Sequence, residues 1–338
     1  MMTVAMPGAS ETAIANPSTL ASPFDLDDDA AYRAWRAWKL AHRPRSAADL
    51  VIDIADPCRL TAAERRSLLQ RIARQGVAVY RTQPAGNAAD EDASLPRALG
   101  AQLGLHRLDA NWLADEDGLS RITVAATNDE GAAGEATPRG EFIPYTDRAI
   151  GWHTDGYYHP DARRILDMIL HCVRPARAGG ETTLVDHALA YIALRDRSPD
   201  LVRALMHAEA MTIPERSDES GVARAAQAGA VLSVVDGTHL HMRYTARTRS
   251  IAWRDDAATR TAVAMLTRLL DVELEGIVRL TLAAGMGLVG HNVLHTRTAF
   301  ADDPAAPRLL LRARYLDRVR GDSSTSGTPD PEAEWRTG

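Results

Sequence analysis

The feature of this 338-residue chain that most limits its fold is how often the hydrophobic period changes. Short runs in which apolar and polar residues alternate, or in which apolar residues cluster between turn signals, are the mark of strands. Such runs cover 49–53, 77–80, 121–125, 165–173, 182–185, 230–235, 238–244, 277–281, 287–289 and 309–316. Asp236-Gly237 separates two of them, and both residue types tolerate the positive φ of a tight hairpin turn. Helices enter as insertions. Thr61-Ala62-Ala63-Glu64 reads as a capping box opening a helix with Leu68, Leu69 and Ile72 on one face, and Gly76 closes it. Others open at Asp186 and at Ser198-Pro199, and one spans 255–270. Strands this numerous and uneven, without regular crossover helices, imply a mainly β fold with helical insertions (α+β), an antiparallel sandwich or jelly roll.

Composition narrows the chemistry. Residues 1–24 and 321–338 lack apolar periodicity and read as a disordered leading tail and a flexible trailing tail around a single domain at 25–320. Lys39 is the sole lysine among 39 Lys and Arg residues, and it sits in an amphipathic stretch, so Schiff-base chemistry and a phosphate-binding loop are excluded. A net charge of −6 argues against nucleic acid as a partner. No apolar run reaches the length of a membrane span, and the start shows no secretory pattern. Cys58 and Cys172 stand alone, which fits a reduced, cytoplasmic setting without a disulfide framework.

The segment Ile150-Gly-Trp-His-Thr-Asp-Gly-Tyr-Tyr158 carries His153 and Asp155 two positions apart. On a strand such residues share a face, about 6 to 7 Å apart at the backbone, a spacing that suits two ligands of one metal. His295, just after a later strand candidate, supplies a third. Two imidazoles and a carboxylate on one face of an ion form the triad of non-haem Fe(II) oxygenases, which leaves positions open for cosubstrate and dioxygen. Downstream, Pro307-Arg-Leu-Leu-Leu-Arg-Ala-Arg-Tyr315 offers Arg308 and Arg312, and Gly179-Gly-Glu-Thr182 offers a hydroxyl. An arginine fork with a threonine can hold the far carboxylate of a small dicarboxylate.

Taken in order, Trp-His-Thr-Asp, Gly-Gly-Glu-Thr, His-Thr-Arg-Thr-Ala-Phe and the arginine pair resemble the taurine dioxygenase and 2,4-dichlorophenoxyacetate dioxygenase (TauD/TfdA-like) family, over roughly 48–316. The resemblance implies a double-stranded β-helix and an Fe(II)- and 2-oxoglutarate-dependent dioxygenase that also uses O2. It implies His153, Asp155 and His295 as iron ligands, Arg308 against the distal carboxylate of 2-oxoglutarate, and Thr182 hydrogen-bonded to it. Arg312 would reinforce that contact or reach an anionic substrate. The expected outcome is hydroxylation, or a related desaturation, with release of succinate and CO2.

Two departures from the family pattern stand out. Asn292 is followed by only two residues before His295, which makes His291 a rival ligand, and Ala149 replaces the asparagine that taurine-type members aim at the substrate amine. Trp152, Tyr157, Tyr158 and Arg243 are the candidates for the substrate pocket, with an amino acid, betaine or sulfonate as substrate. A homo-oligomer would be unsurprising. Two other readings stay open at this point: a zinc hydrolase using the same three ligands, and a non-catalytic jelly-roll binding protein.

Overall fold

The structure is a computed structural model that describes residues 22–83, 94–109, 114–124, 140, 142–218, 221–247, 251–320 and 331–336. Positions 1–21, 321–330 and 337–338 of the expected tails, and Ala125 of one strand candidate, lie outside these residues. Ten strands build the two main sheets: β1 (Val51–Asp53), β2 (Val77–Arg81), β3 (Ser120–Ile122), β4 (Ile150–His153), β5 (Asp167–Arg174), β6 (Thr182–Val185), β7 (Val278–Leu280), β8 (Met286–His291), β9 (Leu294–Arg297) and β10 (Leu309–Tyr315). The six-stranded sheet runs β1-β2-β8-β5-β10-β3, and the four-stranded sheet β7-β6-β9-β4. Their pairings are antiparallel except β1 with β2, which is parallel.

Strand alternation sorts the core into two layers. In β2, Val77 and Val79 join Cys172, Leu184, Val278, Leu280, Leu288 and Leu310 in one cluster fed by both sheets, so the sheets face each other across it. Ala78 and Tyr80 point the other way, into a cluster with Leu68, Leu69 and Ile72 of helix α2 (Ala62–Gln75) and Leu99 of α3 (Leu95–Gln102). The run Val-Ala-Val-Tyr is continuously apolar because both faces are covered. A third cluster joins α1 (Asp29–Ala41), α4 (His187–Arg197), α5 (Pro199–Leu205) and α6 (Ala257–Arg268) to the hairpin of Leu232–Val235 with His239–Met242. That hairpin turns at Asp236 and Gly237, whose φ values of 51° and 73° are the left-handed pair expected from the sequence.

Local chemistry accounts for the boundaries. Thr61 and Glu64 form the capping box of α2, and Gly76 ends it at φ 77°. The strand expected over 49–53 is shortened, because the Asp49 carboxylate accepts the backbone N–H of Arg45 and Ser46 and folds 47–50 into a 3₁₀ turn. Part of both expected tails is packed. Phe24 is buried edge-on to Trp35 and Tyr191. Pro331–Arg336 form a 3₁₀ turn whose Trp335 joins the helical cluster, while Glu334 pairs with Arg74 at 2.7 Å. Aromatic burial fixes these ends where composition suggested none. Among the described residues no helix is long and apolar enough to cross a membrane.

Three histidines outside the candidate site are built into this core. Burial pushes His171 and His187 down to about 4 and His241 down to about 3. Below about pH 6.5 the unfolded chain therefore takes up protons that the folded chain refuses, and stability falls as pH drops towards 4. Each of His171 and His187 is expected to lose on the order of 2 kcal/mol between pH 7 and 4.5. Urea unfolding at the two pH values checks this, and equal midpoints would contradict it.

Candidate metal centre and carboxylate pocket

Strand pairing brings the two imidazoles together. β4 and β9 are neighbours in the four-stranded sheet, and His295 is the register partner of His153. Partners directly opposite share a face, and the two ring centroids are 4.1 Å apart. Each ring is turned by its own backbone: His153 Nδ1 lies 3.0 Å from the Gly151 carbonyl oxygen, and His295 Nδ1 lies 2.9 Å from that of Val293. A carbonyl can only accept, so Nδ1 carries a proton in each ring and Nε2 is the atom on offer to a metal. Burial, followed by the neighbouring His295, pushes His153 down to about 3, which keeps it a neutral ligand.

Asp155 completes the set, though not by strand alternation. β4 ends at His153, and the chain turns before Asp155. Asn292 makes the turn reproducible: its side-chain oxygen accepts the Asp155 N–H at 2.7 Å, and its amide donates to the carbonyls of Asp155 and Ile165 at 2.7 and 3.0 Å. The ligand atoms of His153, Asp155 and His295 all lie within 4.8 Å of one another. Burial opposes ionisation of Asp155, but the Arg312 and Arg314 guanidiniums outweigh it and hold the carboxyl well below the usual carboxylate range. Asp155 Oδ2 has no hydrogen-bond partner. Two imidazoles turned by their Nδ1 contacts and an ionised carboxylate, convergent and at least half-buried, fit a divalent cation.

The second half of the pocket lies further along the same interior. Thr182 is buried in β6, the register partner of Arg297, two positions along the face from the Leu184–His295 pair. Arg308, at the entrance to β10, is 5 % exposed. Its guanidinium lies 5.0 Å from the Phe300 ring centroid, beside the backbone of Gly180 in the Gly-Gly-Glu-Thr motif. Its Nη1 is buried without a hydrogen-bond partner, and among the described residues no carboxylate pairs with it. Burial lowers its pKa. A guanidinium stays charged even so, and although the Asp302 carboxylate acts on it from nearby, the unpartnered buried Nη1 fits an anionic ligand.

Arg312 is placed differently from the expectation that it serves cosubstrate or substrate. Four residues of strand carry it about 13 Å along from Arg308, and its Nη1 lies 3.2 Å from both Asp155 oxygens. His291, the rival ligand, lies 2.9 Å from Asp167 through Nδ1 and is engaged there. Trp152 is on the opposite face of β4 from His153 and packs against the helical cluster, as alternation requires. Arg243 is spent on structure: it donates to the carbonyls of Tyr157, Met211 and Gln227 at 2.6, 2.9 and 2.7 Å. Tyr157 and Tyr158 pack against the same helical cluster as Trp152, edge to face with each other at 5.4 Å, with the Tyr158 hydroxyl accepting from Arg314 at 3.0 Å.

A family model described as "Taurine catabolism dioxygenase TauD, TfdA family" matches residues 39–314. A uridine-5'-phosphate dioxygenase from Streptomyces sp is 34% identical over 182 residues, covering 51% of this chain and 64% of the relative. Another from Amycolatopsis sp is 34% identical over 175 residues, covering 50% and 62%. The matched part thus spans less than two thirds of either relative. Among solved structures, an asparagine oxygenase with Fe(II), hydroxyasparagine and succinate superposes with TM-score 0.53 at 18% identity over 86% of this chain and 85% of that one. The non-heme iron oxygenase OrfP with Fe and alpha-ketoglutaric acid gives 0.53 at 18%, over 77% and 81%. At that identity the likeness concerns the fold.

Asn292 touches the ligand-bearing turn and not the ion position. Asn292→Ala is expected to weaken Fe(II) binding by about 10- to 100-fold, measured by anaerobic titration. An unchanged affinity would remove Asn292 from the site.

Proposed function

Because this chain belongs to the taurine catabolism dioxygenase TauD, TfdA family, we propose that it hydroxylates an unactivated C–H bond of a small anionic molecule. It is an enzyme of the Fe(II)- and 2-oxoglutarate-dependent dioxygenase type, with Fe(II), 2-oxoglutarate and O2 as its cofactor and cosubstrates. The two facing sheets are read as its double-stranded β-helix. His153, Asp155 and His295 hold the iron, and Arg308 with Thr182 takes the distal carboxylate of 2-oxoglutarate. The observation that carries this is the buried Arg308 guanidinium with a partnerless Nη1 in the same interior as the converged triad. A zinc hydrolase would need the triad but has no use for that cation, and a scaffold would need neither.

When bound, the metal, 2-oxoglutarate and dioxygen together supply the oxidising power, with succinate and carbon dioxide as co-products. The chain's own residues do the orienting. The carbonyls of Gly151 and Val293 fix both imidazoles, Asn292 fixes the Asp155 turn, and Arg312 keeps that carboxylate ionised. Arg308 and Thr182 set the cosubstrate's length along the sheet, and the surrounding apolar side chains exclude water.

For the substrate, the 34% identical relatives, named as uridine-5'-phosphate dioxygenases, favour a nucleoside 5'-phosphate over the amino acid, betaine or sulfonate suggested by the sequence alone. A quaternary ammonium is disfavoured by the Arg224 guanidinium 5.9 Å from the Tyr158 ring centroid.

Succinate release under air, with Fe(II) and a panel of nucleotides, amino acids, betaines and sulfonates, tests this reading. Arg308→Ala is expected to raise the 2-oxoglutarate concentration for half-saturation about a hundredfold or more, on the order of 3 kcal/mol. An unchanged 2-oxoglutarate dependence in that variant, or iron binding without succinate from any substrate, would overturn it.

A further inference from the structure

Gly179-Gly-Glu-Thr182 and His295-Thr-Arg-Thr-Ala-Phe300 meet in space, and most of their residues hold neither iron nor cosubstrate. Ala178–Gly179 pairs antiparallel with Phe300–Ala301, and the Gly180 N–H donates to the Ala299 carbonyl at 3.2 Å. The Thr298 N–H donates to the Glu181 carbonyl at 2.9 Å, and the Glu181 N–H to the Thr298 hydroxyl at 3.0 Å. At Gly179, φ is 76°, and a Cβ there would press on the Ala299 carbonyl oxygen and lie 3.0 Å from Phe300 Cα. Glycine thus lets the two strips close, and their closure seats the Phe300 ring beside Arg308.

Phe300 keeps uncommon company for a buried ring. It is 8 % exposed, yet among the described residues it belongs to none of the three apolar clusters. Two guanidiniums approach it instead, Arg308 at 5.0 Å and Arg297 at 4.9 Å from its centroid. A desolvated guanidinium is attracted to an aromatic face by the ring quadrupole. The two cations differ in what else they touch. Arg297 is committed, with Nη1 and Nη2 donating to the carbonyls of Ile143, Pro144, Thr146 and Arg148. Arg308 is tied to the Asp302 carboxylate at 2.8 Å through its backbone N–H, while its Nη1 is buried without a partner.

These contacts divide the work of placing Arg308. The bond to Asp302 fixes the main chain at the entrance to β10, but an arginine side chain is long and flexible, and that bond does not aim its far end. The Phe300 ring gives the guanidinium a surface to lie on, with Gly180 beside it. Arg297, held by its four carbonyls, is a fixed like charge at the same ring: burial, followed by the charge of Arg308, pushes its pKa down to about 10. Two cations at one ring make an anion at the open Nη1 more welcome and leave Arg308 little freedom to retreat.

Resting on the reading of Arg308 as the anchor of 2-oxoglutarate, we propose that Phe300 is a positioning residue that sets the length of the 2-oxo acid this chain accepts. Its ring holds the Arg308 guanidinium at one depth in the interior, matched to the distal carboxylate of 2-oxoglutarate. A diacid one methylene shorter leaves the buried guanidinium unpaired, and one a methylene longer must be compressed to fit. Phe300 acts through Arg308 and takes no part in the oxidation.

Anaerobic calorimetric titration of the Fe(II)-loaded full chain with 2-oxoglutarate, oxaloacetate and 2-oxoadipate tests the assignment. The wild-type chain is expected to bind 2-oxoglutarate about 30-fold or more tightly than either of the others. Phe300→Leu should leave Fe(II) affinity unchanged, weaken 2-oxoglutarate about tenfold and bring the length preference close to unity. Phe300→Tyr, which keeps the ring face, should restore both affinity and preference. Phe300→Met, an apolar replacement without a ring, takes the place of Phe300→Leu should that variant not fold. The proposal is overturned if the ringless variant, folded by circular dichroism, keeps the wild-type affinity and preference, or if it weakens Fe(II) and all three acids alike. Arg308→Ala is titrated in parallel to separate the two readings. If the wild-type chain binds no 2-oxo acid, or Arg308→Ala binds 2-oxoglutarate as the wild type does, the anchor reading falls and the platform falls with it. If Arg308→Ala loses 2-oxoglutarate while the ringless Phe300 variant keeps affinity and preference, the platform alone falls.

Discussion

Everything at the candidate centre depends on one strand pairing, in which β9 lies against β4 with His295 opposite His153. Because strand faces alternate with period two, a slip of one residue would turn one imidazole out of the interior and dismantle the site. The register is backed from the other side, where β6 pairs with β9 and sets Leu184 opposite His295. Leu184 is 1 % exposed and belongs to the cluster between the sheets. The energy that holds the ligands in place is therefore mostly hydrophobic burial shared with the core.

Arginine, in a chain with a single lysine, does several distinct jobs that burial alone does not separate. Arg243 and Arg297 are buried and each donates to three or more backbone carbonyls, so they act as internal ties, although Arg297 Nε has no partner. Arg314 is buried and satisfied by Asp109 at 2.7 Å and by Tyr158. Arg308 is as buried as these, yet the nitrogen it leaves without a partner is an Nη, whereas that of Arg297 is the Nε. A terminal guanidinium nitrogen without an acceptor in a low-dielectric interior is tolerable when an anion completes it, and this sets Arg308 apart from arginines that brace the fold through several carbonyls.

Much of the fold was legible because its local signals agree with its packing. The Thr61 box, the Gly76 stop, the Asp236-Gly237 hairpin and the 182–185 strand sit where turn chemistry and alternation place them. Misreadings came where a side chain redirected the backbone. Asp49 closed a turn inside an expected strand, and aromatic burial of Phe24 and Trp335 ordered ends whose composition read as tail. At the site, the three ligand candidates and Arg308 were visible as residue types in a recognisable order. Arg243 and Trp152 were misassigned, since linear proximity says nothing about which face or which carbonyl a side chain meets. Asn292 was seen only as an irregular spacing, because its role lies in bonds to a turn remote in sequence.

The amino-acid sequence by itself determined the alternating strands, the capped helices and the presence of two imidazoles, a carboxylate and a set of arginines in family order. These are properties of neighbouring residues, fixed by φ/ψ preferences and by the period of the hydrophobic pattern. Only the tertiary structure decided which imidazoles meet, that Arg312 binds Asp155, and that Arg308 is left with a buried nitrogen unpaired. Those outcomes depend on register between strands far apart in the chain and on whether a buried charge finds an acceptor, and both quantities come into being only when the sheets close on each other.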